Sequence, residues 1–357
     1  MASKLTRSTA AGWGFALPAF GLIAAFIVAP FVFAFALSLT DQRLISPNPT
    51  RYVGFENYAR TLGLALLTLE AERDDAGEVI RDEAGAPEFP RVRGFTRSDD
   101  FPQYRGMQEW FRVTTGDTAR VVLAADPVFM RALTNTLLFV AVVAPVQAAL
   151  ALGLALLVNQ RLRGINVFRA IYFMPVVVSI VVVSLLWRFI YADGDGLLNN
   201  VLGWLTFGAF EPVNWLGDPA TALPSIMAMS IWQAVGFHMV IWLSGLQTIS
   251  PTLYEAAEVE GASSWQVFRY VTWPGLRNTA VLVMVVITMQ AFALFAQIDV
   301  MTQGGPLDST QTLVFQAVER GYRRQDISGG STISVILFLL VLSISLAQRY
   351  LTRERAR

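Results

Sequence analysis

Three side chains in one apolar run are spaced so that they could contact a solute together. Ser230, Gln233 and Phe237 are three and four residues apart, and on a helix this spacing places them on one face. A hydroxyl, an amide and an aromatic ring suit a neutral, hydroxyl-rich solute, because sugars offer hydroxyls at their edges and C–H groups on their faces. The alternative role is packing, since Ser, Thr and Gln also hydrogen-bond between membrane helices. Gln290 and Ser179, in two other apolar runs, are further candidates for the same path.

The sequence offers little other chemistry. It has no cysteine and one histidine, His238, which excludes thiolate and histidine-cluster metal sites built from this chain alone. We expect no metal and no cofactor. The apolar runs contain His238, with Arg188 and Asp299 near their ends, and no central charged pair that would relay protons. The sequence has no Gly-x-x-x-x-Gly-Lys-Ser/Thr motif, so ATP chemistry must lie on another chain. A net charge of +0 supports no nucleic-acid partner.

A polar island, Tyr254 to Ala262, separates two of the apolar runs. Pro251 suits a first helical turn, and the residues that follow it form helix readily. We expect Glu255 and Glu258 to favour the positive end of this helix. Gly261 then breaks the helix, and a second short helix ends before a proline. The island is therefore predicted to be a compact helix–corner–helix loop at a membrane face.

The island also resembles a known motif. The order Glu-Ala-Ala, three residues, Gly-Ala, five residues, Phe, five residues, Pro is similar to the cytoplasmic coupling loop of binding-protein-dependent ABC importer permeases. In that family the loop docks into a cleft on the ATP-hydrolysing subunit and transmits its motion to the membrane helices. Glu260 stands where the family usually has Asp, which keeps the charge. The resemblance assigns the coupling role to Glu255, Ala256, Ala257, Glu260, Gly261, Ala262, Phe268 and Pro274.

Other segments resemble the sugar-permease branch of that family. They include Gly54-Phe55-Glu56-Asn57-Tyr58 and Met301-Thr302-Gln303-Gly304-Gly305-Pro306. The resemblance covers residues 9–54 loosely and 129–351 well. It implies an all-α polytopic membrane protein with six transmembrane helices and a MetI-like permease core. It also places Ser230, Gln233 and Phe237 where the fourth span of the family faces substrate.

Composition independently indicates a polytopic membrane protein. The 357 residues are 54% hydrophobic and 15% charged, whereas a soluble domain is about 25% charged. Six apolar runs are near the length of about 20 residues that spans a bilayer. They cover approximately Trp13–Leu39, Phe129–Val158, Ala170–Tyr191, Pro224–Leu246, Thr279–Val300 and Ser331–Ala347.

Residues 40–128 form an insertion after the first predicted helix. They are rich in Arg, Asp, Glu, Gly and Pro and contain no spanning run. We expect the acid-rich part, 70–88, to be solvated. The aromatic residues of Phe95–Phe111 could build a small fold or anchor a contact with a solute-binding protein. The other possibility is a surface elaboration, because long loop insertions cost little closure entropy.

The predicted domain organisation follows from these segments. Residues 1–39 are a tail and helix 1, 40–128 the insertion, and 129–351 the core with its coupling loop at 247–277. Residues 352–357 are a second tail. Basic residues in short loops favour the cytoplasmic side, which puts both termini and the Glu255 loop inside and the insertion outside. The inside set is Lys4, Arg7, Arg161, Arg163, Arg169, Arg269, Arg277, Arg349, Arg353, Arg355 and Arg357.

The resemblance implies a permease subunit of an ATP-driven importer for a sugar or oligosaccharide in the cell inner membrane. Such a chain is not an enzyme, and it forms half of a pathway within membrane lipid. Its expected partners are a second permease subunit in a heterodimer, an ATP-binding subunit dimer and an extracytoplasmic solute-binding protein. The alternative is a stand-alone secondary carrier, which would need inverted repeats and central charges that we do not find. An intramembrane enzyme would need a set of acid–base or metal-binding residues, and one histidine with scattered serines does not form one.

Overall fold

We describe the chain from a computed structural model that covers residues 2–83, 85–160 and 163–352. This chain divides into two units. The first unit comprises the residues up to Pro127 and the segment Gln316–Phe338. The second unit comprises Val128–Phe315 and the residues from Leu339 onward. The predicted inside residues Arg161, Arg353, Arg355 and Arg357, and the tail beyond Thr352, lie outside the described residues.

The predicted polytopic helical fold is present. Over the described residues, four helices are long and apolar enough to cross a membrane, and two bent helix pairs raise the number to six. The four single spans agree with the predicted runs to within a few residues. They are Trp13–Ser38, Pro127–Val158, Ala222–Gln247 and Ile327–Tyr350.

The first unit begins with a long apolar helix. Helix α1 (Ala2–Ile23) continues through a π-helical turn (Ala24–Val28) into α2 (Ala29–Ser38). The apolar side chains of the span are largely exposed, and none of its most apolar window is buried within this chain. Lipid or another chain must therefore cover this helix in a membrane.

The segment after α2 explains the Gly-Phe-Glu-Asn-Tyr pattern. Gly54 has a φ of +60°, a conformation that favours glycine, and it leads into α3 (Glu56–Leu62). The amide of Asn57 donates to the carbonyls of Ser38 and Thr40, at 2.8 and 2.7 Å. These carbonyls lie at the end of α2, where the helix leaves acceptors unpaired. The motif therefore caps the first span.

The insertion contains a three-stranded antiparallel sheet, which the sequence did not predict. Strands β1 (Leu64–Glu70), β2 (Gln108–Thr115) and β3 (Thr118–Ala124) pair in the order β1-β3-β2. Alternate side chains of β1 and β3, including Leu67 and Val121, which pair in register, are buried in one small core. The unit is thus not purely helical.

Several aromatic residues of the insertion pack against this core. Phe95, in the short helix α4 (Val92–Thr96), and Tyr104 pack against the sheet, and the ring of Phe101 lies 5.2 Å from that of Phe95. A 3₁₀ turn (Pro102–Tyr104) connects this layer to β2. Phe95 and Tyr104 are half-buried and form part of the apolar layer that a three-stranded sheet needs to be stable, and contact of these rings with a partner stays a prediction.

The second unit is a helical bundle around a core that includes Phe139, Ile226, Met239 and Ile287. Its helices are α5 (Pro127–Val158), α6 (Ile165–Val177), α7 (Ile180–Ile190), α8 (Leu197–Leu205), α9 (Ala222–Gln247), α10 (Pro251–Val259), α11 (Ser264–Val267), α12 (Trp273–Gly275), α13 (Arg277–Phe292) and α14 (Ala296–Met301). Helix α15 (Leu313–Val318), a π turn (Glu319–Arg323) and α16 (Ile327–Thr352) complete the chain.

Two predicted straight spans are broken. The predicted third span is α6 and α7, which meet at 97°, because Val178 and Ser179 are extended. A run of β-branched valines lowers helix propensity there, and serine is a common first residue before a helix. The predicted fifth span ends at Phe292, and residues 296–301 form the separate helix α14. Hydropathy detects apolar length and does not detect such breaks.

Gly236 fixes a close contact between α9 and α6. A Cβ atom at this position would lie 1.9 Å from the carbonyl oxygen of Tyr172. We expect Gly236→Ala to lower the free energy of unfolding by at least about 1–3 kcal/mol, because the backbone must move to admit the methyl group. Thermal unfolding of the purified chain in detergent measures this. Gly153→Ala in α5 is the control, since nothing lies within 4 Å of its new methyl group. Equal melting temperatures for both variants would contradict the contact.

Candidate functional site

A cavity of about 300 Å³ with polar groups in a mostly apolar wall lies in the second unit, among α5, α6, α7, α9, α13 and α14. It brings together four of the five predicted pathway residues: Ser230, Gln233, Phe237 and Gln290. Gln147 and Gln297 add two further amides to its wall. None of the described residues that line the cavity is charged. The arrangement therefore presents donors and acceptors without a net charge.

Ser179 is the predicted residue that does not line this cavity. It stands at the break before α7, while Val176 and Ile180 on either side of it contribute to the wall. Its carbonyl accepts the first backbone hydrogen bond of α7, from Val183, at 3.0 Å. Ser179 thus shapes the bend, and its neighbours face the cavity.

Gln147 is a cavity residue that the sequence reasoning missed. It lies in the middle of α5 and is 3% exposed. Its Nε2 atom is 2.8 Å from Nδ1 of His238, whose side chain is fully buried in α9. The same Nδ1 is 2.9 Å from the carbonyl oxygen of Ala234. His238 therefore links α5 to α9 and holds the Gln147 side chain at the cavity wall. A polar amide in the middle of a predicted span was the available signal.

Ser230 carries a hydroxyl group that the fold leaves unpaired. Its hydroxyl oxygen is buried and has no hydrogen-bond partner within the described chain. Buried polar groups are nearly always paired, so an unpaired one at a cavity wall indicates a partner that comes from outside the chain. The aromatic ring of Phe237 and the side chain of Phe139 supply apolar surface in the same cavity.

The polar island forms the predicted helix–corner–helix loop. Gly261 has a φ of +71°, and the amides of Gly261 and Ala262 donate to the carbonyls of Glu258 and Ala257 at 3.0 and 2.9 Å. These are the two bonds of a Schellman helix ending. A Cβ at Gly261 would meet nothing within 4 Å. Glycine is therefore required for its backbone conformation and not for a close approach.

The second arm of the loop begins with its own cap. The backbone amide of Ser263 donates to the side chain of Gln266 at 2.7 Å, and the Gln266 amide donates back to the Ser263 hydroxyl at 3.4 Å. The arm continues through α11, a π turn (Phe268–Thr272) and α12, which contains Pro274, so the prediction that this arm ends before the proline is wrong. Pro274 is tolerated because it lies in the first turn of α12. The hydroxyls of Tyr254 and Thr272, 3.2 Å apart, connect the two arms. The loop is thus a defined knob.

The outer surface of this knob is free within the described chain. Glu255, Ala256 and Glu260 are exposed. The carboxylates of Glu255 and Glu260 form neither a hydrogen bond nor an ion pair with any described residue. Trp265 and Tyr270 are 69% and 74% exposed. Exposed aromatic rings are enriched where proteins contact each other.

One expectation about this loop is wrong. Helix α10 begins at Pro251 and has no acidic residue in its first turn. Glu255 and Glu258 lie in its later turns, where the effect of the helix dipole has fallen off. The glutamates are therefore not explained by stabilisation of the helix.

A family model described as "Binding-protein-dependent transport system inner membrane component" matches residues 130–357. The chain belongs to this family. Among its curated relatives, the lactose transport system permease protein LacF of Rhizobium radiobacter is 36% identical, over 70% of this chain and 84% of its own. The trehalose/maltose transport system permease protein MalF of Thermococcus litoralis is 34% identical, over 66% of this chain and 78% of its own.

A solved structure shares the fold of nearly the whole chain. It is a bacterial ABC transporter involved in the import of the acidic polysaccharide alginate, with a TM-score of 0.69 at 18% identity over 99% of both chains. The family confirms the MetI-like permease core and the prediction of a transport subunit whose ATPase is a separate chain. It does not favour the stand-alone carrier.

Proposed function

We propose that this permease forms half of the translocation pathway for a neutral sugar or oligosaccharide. The uncharged cavity carries the proposal, because four glutamine amides and one unpaired serine hydroxyl can each pair with solute hydroxyl groups. The ring of Phe237 matches the C–H face of a sugar. A charged solute would lose its hydration in this cavity without a counter-charge from this chain. The relatives named for lactose and for trehalose and maltose support the same class of solute.

The Glu255 loop is proposed as the contact with the ATP-binding subunit. Its exposed carboxylates, small alanines and exposed rings form a knob that a cleft on another protein could enclose. The functional unit would contain a second, different permease chain, two copies of the ATPase and an extracytoplasmic solute-binding protein. The basic residues of the short loops support an orientation with both termini and this knob on the cytoplasmic side.

Uptake into vesicles tests the proposal. The permease is reconstituted with its partner permease, with ATP inside and the solute-binding protein outside, in the presence or absence of the ATPase subunit. We expect uptake of a labelled neutral sugar from a panel of lactose, maltose and trehalose, and only with the ATPase present. Uptake that continues without the ATPase subunit would contradict ATP-driven transport. Uptake restricted to an acidic sugar would contradict a neutral solute.

A further inference from the structure

The insertion contains a second cavity. It is separate from the cavity lined by Ser230, Gln233, Phe237 and Gln290, which we call the transport cavity, and charged residues line it. Its volume is about 840 Å³, and it lies between α4 and β2 in the first unit. Four arginines line it: Arg91, Arg93, Arg97 and Arg112. Small-molecule sites typically have volumes of about 300–1,000 Å³. The cavity is therefore large enough for a ligand of a few sugar rings.

Most of this positive charge is not compensated. Glu109 is the acidic residue among the described lining residues, and it is occupied by Arg112, which donates to its two oxygens at 3.1 and 2.9 Å. The side chains of Arg91, Arg93 and Arg97 form neither a hydrogen bond nor an ion pair with any described residue. A concave surface lined by one sign of charge concentrates its field and attracts counter-ions. Three such guanidinium groups around one cavity indicate an anionic ligand.

The rest of the lining indicates the type of anion. Val92 and Met107 pack against the small core of the sheet and also contribute to the cavity, so its floor is partly apolar. Gln108 adds an amide. A guanidinium group matches the two oxygens of a carboxylate, sulfate or phosphate group. The combination suits an organic molecule that carries several acidic groups on a carbon framework.

We propose that this arginine cavity binds a small organic polyanion of saccharide size. The ligand class is a compound with at least two carboxylate, sulfate or phosphate groups, and acidic oligosaccharides are its natural example. The cavity is concave, and none of the described residues that line it is a large aromatic of the kind that anchors protein interfaces. These two features favour a small molecule over the acidic face of a protein. The inference goes beyond the transport function, because the described residues that line the transport cavity carry no charge to hold the same groups.

Calorimetry on the full chain tests the site. The permease complex is placed in neutral phosphatidylcholine nanodiscs and titrated with trigalacturonate, inorganic pyrophosphate or neutral maltotriose. We expect saturable binding of at least one polyanion, with an affinity that falls as salt rises. Trigalacturonate binding assigns a carboxylate ligand, and pyrophosphate binding alone assigns a phosphate ligand. In the double variant Arg93→Gln/Arg97→Gln the affinity should fall at least tenfold.

A matched variant separates the cavity from general surface charge. Arg105 lies in the same segment, pairs with Asp99 at 3.3 Å and does not line the cavity, so Arg105→Gln should leave the affinity unchanged. Thermal unfolding checks that the double variant is folded, and Arg91→Gln serves as the second test of the site if it is not. Absence of polyanion binding, or equal affinity in the folded cavity variants and the parent, would overturn the proposal. The proposal would also be overturned if substitution of the arginines changed only the binding of the solute-binding protein.

Discussion

Replacing Gly261 with valine is expected to abolish ATP-driven uptake while the chain still inserts in the membrane. The φ of +71° at this corner costs an L-residue roughly 1–2 kcal/mol, and a β-branched side chain is among the least tolerant. Since the Schellman bonds at Gly261 set the direction in which the second arm leaves α10, a strained corner misplaces the whole knob. Uptake into vesicles, together with the amount of permease in the membrane, measures the effect.

Gly261→Asn is the matched control, because asparagine is the non-glycine residue most often accepted in this conformation. It should retain most of the transport activity, because the Cβ that it adds meets nothing within 4 Å. Glu255→Lys tests the same knob through its charge. The carboxylate has no partner in the described chain, so its reversal should abolish transport without changing thermal stability. Normal transport in both Gly261→Val and Glu255→Lys would contradict the coupling role.

The parts of the fold that the sequence predicted are those fixed by local pattern. The predicted fourth span, Pro224–Leu246, is the helix Ala222–Gln247, because a segment that crosses lipid must pair its backbone groups internally. Gly261 was predicted as a corner because a lone glycine between two short helical segments is a strong local stop signal. The shared face of Ser230, Gln233 and Phe237 followed from helical spacing.

The missed features depend on long-range contacts. Strands β1 and β3 lie about fifty residues apart in the chain, and their alternation extends over only seven residues each. Gln147 joins the cavity because α5 packs beside α9, and its pairing with His238 spans 91 positions. No periodicity within one segment shows such a contact. The break at Val178 was missed for another reason, since a valine run reads as apolar whether it is helical or extended.

Substitution of either Gln233 or Phe237 with alanine is expected to raise the solute concentration required for half-maximal uptake. Both side chains line the transport cavity, and the amide of Gln233 makes no hydrogen bond within the described chain, so it is free to pair with a solute. Loss of one hydrogen bond to a solute hydroxyl is worth about 0.5–1.5 kcal/mol, which corresponds to roughly a 2- to 12-fold change. Phe237→Ala instead removes the apolar surface that we propose for the C–H face of the sugar, and we expect an effect at the upper end of that range or above it.

Val240→Ala provides the control on the same helix. Val240 lies one turn from Phe237, is 41% exposed on the outer surface of the second unit and does not line the cavity. Its truncation should leave the half-saturating concentration unchanged. Transport kinetics are compared at equal amounts of assembled complex, with the basal ATPase activity as the measure of assembly. If the two cavity variants matched Val240→Ala in their kinetics, Gln233 and Phe237 would be packing residues of α9, and the solute would have to be recognised elsewhere in the complex.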